Sequence, residues 1–279
     1  MPVITEYRHG LTMGIPPRMT SHQKAKRQQV EGWTNSSTRR NTKFLYSVDE
    51  RKLTGQGFAL TLTIRDCPPT ADGWRDMREA FFDRLRRMGM IRGHWLTEWQ
   101  RRGVPHLHCA IWIDSSEREQ FITASQVIDH WLDVAGLYGA GRRGQQAKGI
   151  TDSVGWFQYL SKHAVRGLNH YQRSGDSIPA GWKKTGRMWG KLGQWETVEP
   201  VRYLMDNPGF WAFRRIVQRW RVSVARESGD QGRLRAARRM LQSNDRNASS
   251  VRGCSEWIDQ GMTAAVVAHL AARGFPISC

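Results

Sequence analysis

Alternating hydrophobic and polar positions over residues 57–66 predict the first strong strand of the chain. Residues 74–88 instead repeat apolar side chains every three to four positions, which predicts a helix with one apolar stripe. Two further strand-like runs, 91–99 and 106–114, flank a short polar connection that contains a glycine. That arrangement is typical of a β-hairpin.

The remaining elements follow from the same patterns and from helix start and stop signals. Residues 1–53 are polar and basic, so we expect an N-terminal arm with a short helix at 23–30. The other predictions are helices over 115–134, 152–166, 208–226 and 262–272, a strand at 196–205, and loops over 137–149 and most of 169–193.

The composition indicates a packed core and a basic surface. The 279 residues contain 43 Lys and Arg against 25 Asp and Glu, a formal net charge of +18. The hydrophobic share of 39% is enough for a packed core, so the charge is not that of a disordered tail. Such a surface attracts polyanions, above all nucleic acid, although charge alone also fits a basic protein that binds nucleic acid non-specifically.

Several classes of protein are excluded by what the sequence lacks. No stretch approaches 18 uninterrupted apolar residues, and the N-terminus has no secretory pattern, so we expect no membrane span. The four cysteines form no CxxC pair, which argues against a disulfide framework and against a zinc ribbon. A reducing cytoplasm is the expected location. No GxxxxGK[ST] phosphate loop is present, so a fused helicase is not expected.

The predicted hairpin brings together groups that bind metals. His106 and His108 are two residues apart in a strand, so their side chains share one face. A turn centred at 102–103 places Glu98 directly opposite His106 or His108, on that same face. Two imidazoles and a carboxylate then form an open three-ligand site, whereas an HxH pair alone is more often two ordinary surface histidines. His94 lies about 13 Å along the strand, where we expect a supporting or structural role.

The helix predicted over 152–166 places a phenol beside basic groups on one face. These residues are Tyr159, Lys162, His163 and Arg166. A phenol, with a pKa near 10, is a weak nucleophile at neutral pH, and neighbouring cations or a metal favour its phenolate. Taken alone, the segment also fits an ordinary amphipathic helix with a basic solvent face.

Three motifs in this order resemble the HUH endonuclease superfamily, and more narrowly the rolling-circle replication initiators of bacterial plasmids and filamentous phages. Each motif alone is weak, but the ordered combination with suitable spacing is specific. The matching residues are ALTLT at 59–63, Glu98, HLH at 106–108 and YLSK at 159–162.

The resemblance implies an α+β fold of the ferredoxin- or RRM-like type, in which a central antiparallel sheet has flanking helices. We expect that endonuclease domain over residues 54–205. The N-terminal arm at 1–53 would precede it, and a basic helical extension at 206–279 would follow it.

The resemblance also implies roles for the residues of the site. Glu98, His106 and His108 would hold Mg²⁺ or Mn²⁺ against a phosphate of single-stranded DNA at a replication origin. Tyr159 would attack that phosphate and become a 5′-phosphotyrosine, while Lys162 would position the phosphate. Some members have a second tyrosine four residues after the first; His163 stands there, so we expect a one-tyrosine nickase in the bacterial cytoplasm, served by a host helicase and polymerase.

Other basic groups are expected to contact the DNA backbone rather than to identify bases. These are Arg101 and Arg102 in the hairpin turn, Arg142 and Arg143 in the glycine-rich segment, and His163 and Arg166 on the tyrosine helix.

Three alternatives stay open. An HUH relaxase usually has a three-histidine cluster and a tyrosine near the N-terminus, and an HUH transposase is usually a much shorter chain. A non-catalytic, metal-containing nucleic-acid-binding protein explains the charge but leaves the tyrosine without a role.

Overall fold

The computed structural model describes most of the chain, in two compact units. The described residues are 1–14, 30–115, 120–165, 170–182, 184–239, 254–259 and 261–279, and for 162–165, 239 and 254–255 only the backbone is described. One unit comprises residues 25–197, and the other comprises residues 1–24 and 198–279. The helix expected at 23–30 falls almost entirely outside the described residues.

The described residues form strands and helices in the following chain order. They are β1 Val3–Glu6, β2 Gly10–Gly14, α1 Asn35–Ser47, β3 Gln56–Thr63, α2 Ala71–Arg87, β4 Met90–Trp99, β5 Pro105–Ile113, α3 Gln120–Ala135, β6 Gln146–Gly149, α4 Ser153–Val165, β7 Trp189–Gly193, β8 Val201–Met205, α5 Asn207–Glu227, α6 Gln231–Arg239, β9 Cys254–Trp257, α7 Met262–Ala272 and β10 Ile277–Ser278.

The unit of residues 25–197 is built on an antiparallel sheet with strand order β6-β3-β5-β4-β7. Side chains alternate between the two faces of a strand. From Arg92 onward, the even-numbered residues of β4, such as His94, therefore face α1, where the ring Nε2 bonds to Asn41 Oδ1 at 2.7 Å. Odd-numbered residues face α2: the Trp74 indole donates to Thr97 Oγ1 at 3.1 Å. Helices thus cover both faces of this sheet.

Helix α2 has a side-chain cap at its start, basic residues at its end and one apolar face. Thr70 caps the first turn, because its hydroxyl accepts a bond from the Gly73 amide at 3.1 Å. Basic residues fill the last turn, where their positive charges interact favourably with the negative end of the helix dipole and stabilise the helix. The apolar face is buried, and Phe81 packs edge-on against Trp131 of α3 with ring centroids 5.4 Å apart.

Residues 1–14 and 198–279 contribute to a second antiparallel sheet, with order β10-β8-β1-β2-β9. Its core includes Ile4, Leu11, Met205 and Phe213. The structure is therefore α+β, as expected, but it has two antiparallel sheets instead of one. Within the part of the chain that the structure describes, no helix combines the length and apolar character needed to cross a membrane.

The predicted domain boundaries differ from this division. Residues 1–53 do not form a single arm: β1 and β2 join the second sheet, while α1 packs in the other unit. The strand predicted at 196–205 is observed as β8, but it pairs with β1 instead of belonging to the 54–205 domain. Pairing between the two ends of a chain leaves no local pattern in the sequence, which explains the difference.

Two strands lie where loops were predicted. Strand β6 falls within 137–149 and pairs with β3, and β7 falls within 169–193 and pairs with β4. Their sequences, QAKG and WGKLG, have no β-branched residue and two or fewer large apolar residues. The intrinsic strand propensity of these two segments is therefore low. They become strands because the backbone groups at the edges of β3 and β4 are available for pairing.

Truncation of the packed ring in α2 tests this core. We expect Phe81→Ala to lower the free energy of unfolding by about 3–5 kcal/mol, because it leaves a cavity beside Trp131. Phe121→Ala on α3 is the matched control, since that side chain is 85% exposed; it should change stability by less than about 0.5 kcal/mol. Urea unfolding followed by circular dichroism measures both. Equal losses in the two variants would contradict the described packing.

Candidate active site

The turn between β4 and β5 sets the register of the candidate site. Gly103 has a φ of +72°, a conformation that glycine adopts without strain, and its amide donates to the Gln100 carbonyl at 2.9 Å. The Gln100 amide in turn donates to the Val104 carbonyl at 2.9 Å. With this turn closed, Glu98 pairs directly with His106. The predicted position of the turn and the predicted cross-strand pairing are both confirmed.

Three potential ligands converge on that face of the sheet. Oε2 of Glu98 lies 3.7 Å from Nε2 of His106 and 3.6 Å from Nε2 of His108. The two Nε2 atoms lie 3.1 Å apart, and the three ligand atoms all fall within 4.8 Å of one another. Glu98 is fully buried, whereas His106 keeps 12% of its side chain exposed. The cluster is therefore closed to solvent at Glu98, its back, and reaches solvent at His106, its open front.

This donor set fits a divalent metal. Two ligands at right angles, each about 2.1 Å from an ion, lie about 3 Å apart, which is the separation of the two imidazole nitrogens. Thr61 pairs with His108 across β3 and β5, and its hydroxyl lies 3.1 Å from Nδ1 of that ring. The contact orients the imidazole so that Nε2 faces the cluster, as the outer partners of metal-bound histidines do.

Behind the cluster lies a buried arginine that sequence reasoning missed. Nε of Arg173 lies 3.5 Å from Oε1 of Glu98. Burial lowers the pKa of Arg173 to about 10, and the neighbouring Glu98 carboxylate opposes that shift. Arg173 belongs to a segment predicted as loop, where no periodicity or motif distinguishes one basic residue from another.

The candidate nucleophile lies beside the cluster. Asp152 caps α4, because its carboxylate accepts a bond from the Gly155 amide at 2.9 Å. The cap starts a helix that buries Phe157 and leaves Tyr159 37% exposed. The Tyr159 ring centroid lies 5.8 Å from that of His108, and Trp156 stacks on the phenol at 4.7 Å. The predicted neighbourhood of tyrosine and histidines is thus present.

The other predicted residues on the tyrosine helix are only partly described. Lys162 and His163 lie in α4, but their side chains fall outside the described part of the structure, and so does the whole of Arg166. Their predicted roles stay predictions.

The four predicted phosphate-binding arginines have different surroundings. Arg102 is already engaged, since its guanidinium donates to the Arg65 carbonyl at 2.8 Å and to that of Ile64. Arg142 forms an ion pair with Asp129. Arg101 is exposed. Its guanidinium lies 5.5 Å from the ring centroid of Tyr171.

Arg143 is exposed in a short turn that lies close to the cluster. The Thr63 hydroxyl donates to the Gly144 carbonyl of that turn at 3.0 Å, and Thr63 pairs with His106 across the sheet. Of the four, Arg102 and Arg142 thus already bond to groups within the chain, and Arg101 and Arg143 lie exposed at the two turns.

His94 has a structural role, one of the two roles expected for it. Its ring is fully buried, bonds to Asn41 and stacks on Phe44 with ring centroids 5.7 Å apart. Burial lowers the pKa of His94 to about 3, so the ring is neutral at physiological pH.

Comparison with known proteins places this arrangement among replication proteins. The replication-associated protein ORF2/G2P family matches residues 57–164, a range that includes the metal cluster and the tyrosine. A protein of Xylella fastidiosa (strain 9a5c), named as a replication protein, is 51% identical over 285 residues, covering 100% of this chain and 99% of the relative. Another, from Xylella fastidiosa (strain Temecula1 / ATCC 700964), is 53% identical over 264 residues, covering 92% and 99%. The replication-associated protein G2P of Pseudomonas phage Pf3 is 46% identical over 278 residues, covering 99% of each chain. No solved structure matches.

Removal of either histidine tests the metal cluster. We expect His106→Ala and His108→Ala each to weaken Mn²⁺ binding by more than about tenfold. Loss of a residue that only hydrogen-bonds to a metal ligand already lowers metal affinity by about 10–100-fold. His130→Ala, a half-buried histidine on α3, is the matched control and should bind as the wild type does. The electron paramagnetic resonance (EPR) signal of free Mn²⁺ in a titration gives the affinities. Unchanged binding in both cluster variants would rule out this site.

Proposed function

This chain belongs to the family of replication-associated proteins ORF2/G2P, and on that basis we propose that it initiates rolling-circle replication by nicking single-stranded DNA at an origin. One observation carries the proposal: a half-exposed tyrosine lies against a buried cluster of one glutamate and two histidines. The Pf3 relative is named as a replication-associated protein, which supports a role in starting DNA synthesis.

The proposed enzyme is of the HUH type. The strand order β6-β3-β5-β4-β7 supports this assignment, since it puts the histidine strand β5 in the middle of an antiparallel sheet. The ligand glutamate comes from the neighbouring β4, and the tyrosine comes from a helix that packs on the same face. The order of the three motifs along the chain agrees with that arrangement.

Glu98, His106 and His108 would hold Mg²⁺ or Mn²⁺ through one carboxylate oxygen and two Nε2 atoms. The metal, when bound, supplies a Lewis acid that polarises the scissile phosphate. The residues themselves keep the ligand atoms on two hydrogen-bonded strands, and Thr61 fixes the ring of His108. His106, the more exposed of the two histidines, faces the side from which a DNA strand approaches.

Tyr159 carries the transfer. Its phenolic oxygen forms a bond to phosphorus while the bond from phosphorus to the 3′ oxygen of the preceding nucleotide breaks. The phenol loses its proton and the leaving 3′ oxygen gains one, so the products are a 5′-phosphotyrosine and a free 3′ hydroxyl. That hydroxyl primes synthesis. Attack of a 3′ hydroxyl on the phosphotyrosine runs the same exchange in reverse and rejoins a strand.

Basic side chains around the cluster hold the strand. Lys162 would neutralise charge that develops on the phosphate, and His163 and Arg166 would contact neighbouring phosphates. Arg101 and Arg143 would hold the backbone at the hairpin turn and at the turn before β6. Binding through such contacts weakens steeply as salt concentration rises.

The surrounding process requires partners. The sequence has no phosphate loop for ATP, so strand separation would come from a host helicase and synthesis from a host polymerase. The reaction takes place where the replicating DNA is, in the cytoplasm of a bacterial host.

Loss of the phenol should abolish the covalent product. With Mn²⁺ and single-stranded oligonucleotides that tile the encoding replicon, wild-type protein should give a protein–DNA adduct that survives denaturing electrophoresis. Tyr159→Phe should give none. Tyr171→Phe is the matched control, because Tyr171 is as exposed as Tyr159 (37% each) and lies at the neighbouring turn; it should form the adduct normally. Adduct formation by Tyr159→Phe would overturn the proposal.

A further inference from the structure

The arginine behind the metal cluster shares a carboxylate with it. Arg173 lies against Oε1 of Glu98, while Oε2 of the same group faces both histidines. The arginine and glutamate side chains are only 1% and 0% exposed. One carboxylate therefore has a fixed cation on one oxygen and the candidate metal position on the other.

The position of Arg173 does not depend on Glu98 alone. Its guanidinium carbon lies 4.1 Å above the ring centroid of Trp33, and Nη1 donates to Thr38 Oγ1 at 3.2 Å. The backbone beside it is also held, since the Trp99 amide donates to the Gln172 carbonyl at 3.0 Å. The cation therefore cannot withdraw easily when a metal enters the cluster.

The net charge of this group rises from zero to positive when a metal binds. Arg173 and Glu98 together carry no net charge, which is the condition under which a buried carboxylate is tolerated. A divalent ion at Oε2 adds two positive charges a few ångströms from the guanidinium, and like charges at such a distance repel strongly where water is excluded.

We propose that Arg173 is the built-in counter-ion of the metal-free site and that it competes with the divalent metal for the negative charge of Glu98. The inference rests on the proposed function, since it concerns the metal cluster of the nicking site. Arg173 keeps the ligands assembled before a metal arrives, and its charge then weakens metal binding. A DNA phosphate at the open front supplies the missing negative charge, so metal and DNA bind cooperatively, each tightening the other.

Removal of the charge tests the proposal. All variants carry Tyr159→Phe, so that DNA is bound but not cleaved, and Mn²⁺ affinity is measured by EPR. Arg173→Met keeps the length and apolar bulk beside Trp33. Without DNA we expect it to bind Mn²⁺ about tenfold or more tightly than the Arg173 protein. An origin single strand should tighten Mn²⁺ binding by a larger factor in the Arg173 protein than in Arg173→Met.

Two variants separate charge from packing. Arg173→Lys retains the positive charge and should bind Mn²⁺ within about threefold of the Arg173 protein. Arg78→Met removes another buried arginine, which lies 3.8 Å over Trp95 on the opposite face of the sheet. Its Mn²⁺ affinity should be unchanged, whatever its stability.

Thermal unfolding keeps the test decisive if Arg173→Met folds poorly. Without metal, buried Glu98 then lacks the positive charge of Arg173, so the variant should unfold at a lower temperature and regain stability on addition of Mn²⁺. The double variant Glu98→Gln/Arg173→Met removes both charges and should regain stability without metal.

Weaker or unchanged Mn²⁺ binding by Arg173→Met, with Arg78→Met unaffected, would overturn the inference and leave Arg173 as a structural support. If protein with Arg173 binds no Mn²⁺ at all, the inference fails together with the metal part of the proposed function. Normal Mn²⁺ binding and nicking by the wild type, alongside an unchanged affinity in Arg173→Met, contradicts the inference alone.

Discussion

The register between β4 and β5 is the constraint on which the site depends. The turn at Gly103 closes the hairpin so that Glu98 pairs with His106, and alternation along β5 brings His108 to the same face. A slip of one residue would move the carboxylate to the α2 side of the sheet, away from both imidazoles. Because β3 and β7 pair on the outer sides of this hairpin, the register is held by the whole sheet.

The candidate metal ligands of the site are held rigidly, whereas the tyrosine beside them is accessible to solvent. The ligands come from hydrogen-bonded strands, and their back is closed by the Arg173 guanidinium and the Trp33 ring. Tyr159, the proposed nucleophile, comes from a capped helix and is 37% exposed; Trp156 stacks on its ring, and the His108 ring meets it edge-on. Charge is balanced where water is excluded, and the side of the cluster that reaches solvent is where the proposed function would admit DNA. Under the proposed function, the basic surface of the chain would hold a DNA strand across this opening.

The sequence predicts the parts of the site that depend on neighbours along the chain. The hairpin, the shared face of Glu98 and the two histidines, and the exposed Tyr159 all follow from turn chemistry and periodicity within about ten residues. Arg173 could not be predicted, because it reaches Glu98 from 75 positions away through a segment with no regular pattern. Strands β6 and β7, and the strands of the second sheet other than β8, were missed for the same reason: their pairing partners, not their own sequences, make them strands.

The claim that one metal is held by Glu98, His106 and His108 is tested most directly by counting nitrogen ligands. Pulsed EPR of the Mn²⁺-loaded wild type should show two directly coordinated histidine nitrogens. Each single variant, His106→Ala or His108→Ala, should leave one of them when loaded at high Mn²⁺ concentration. A tightly bound Mn²⁺ with no coordinated nitrogen in the wild type would contradict the account.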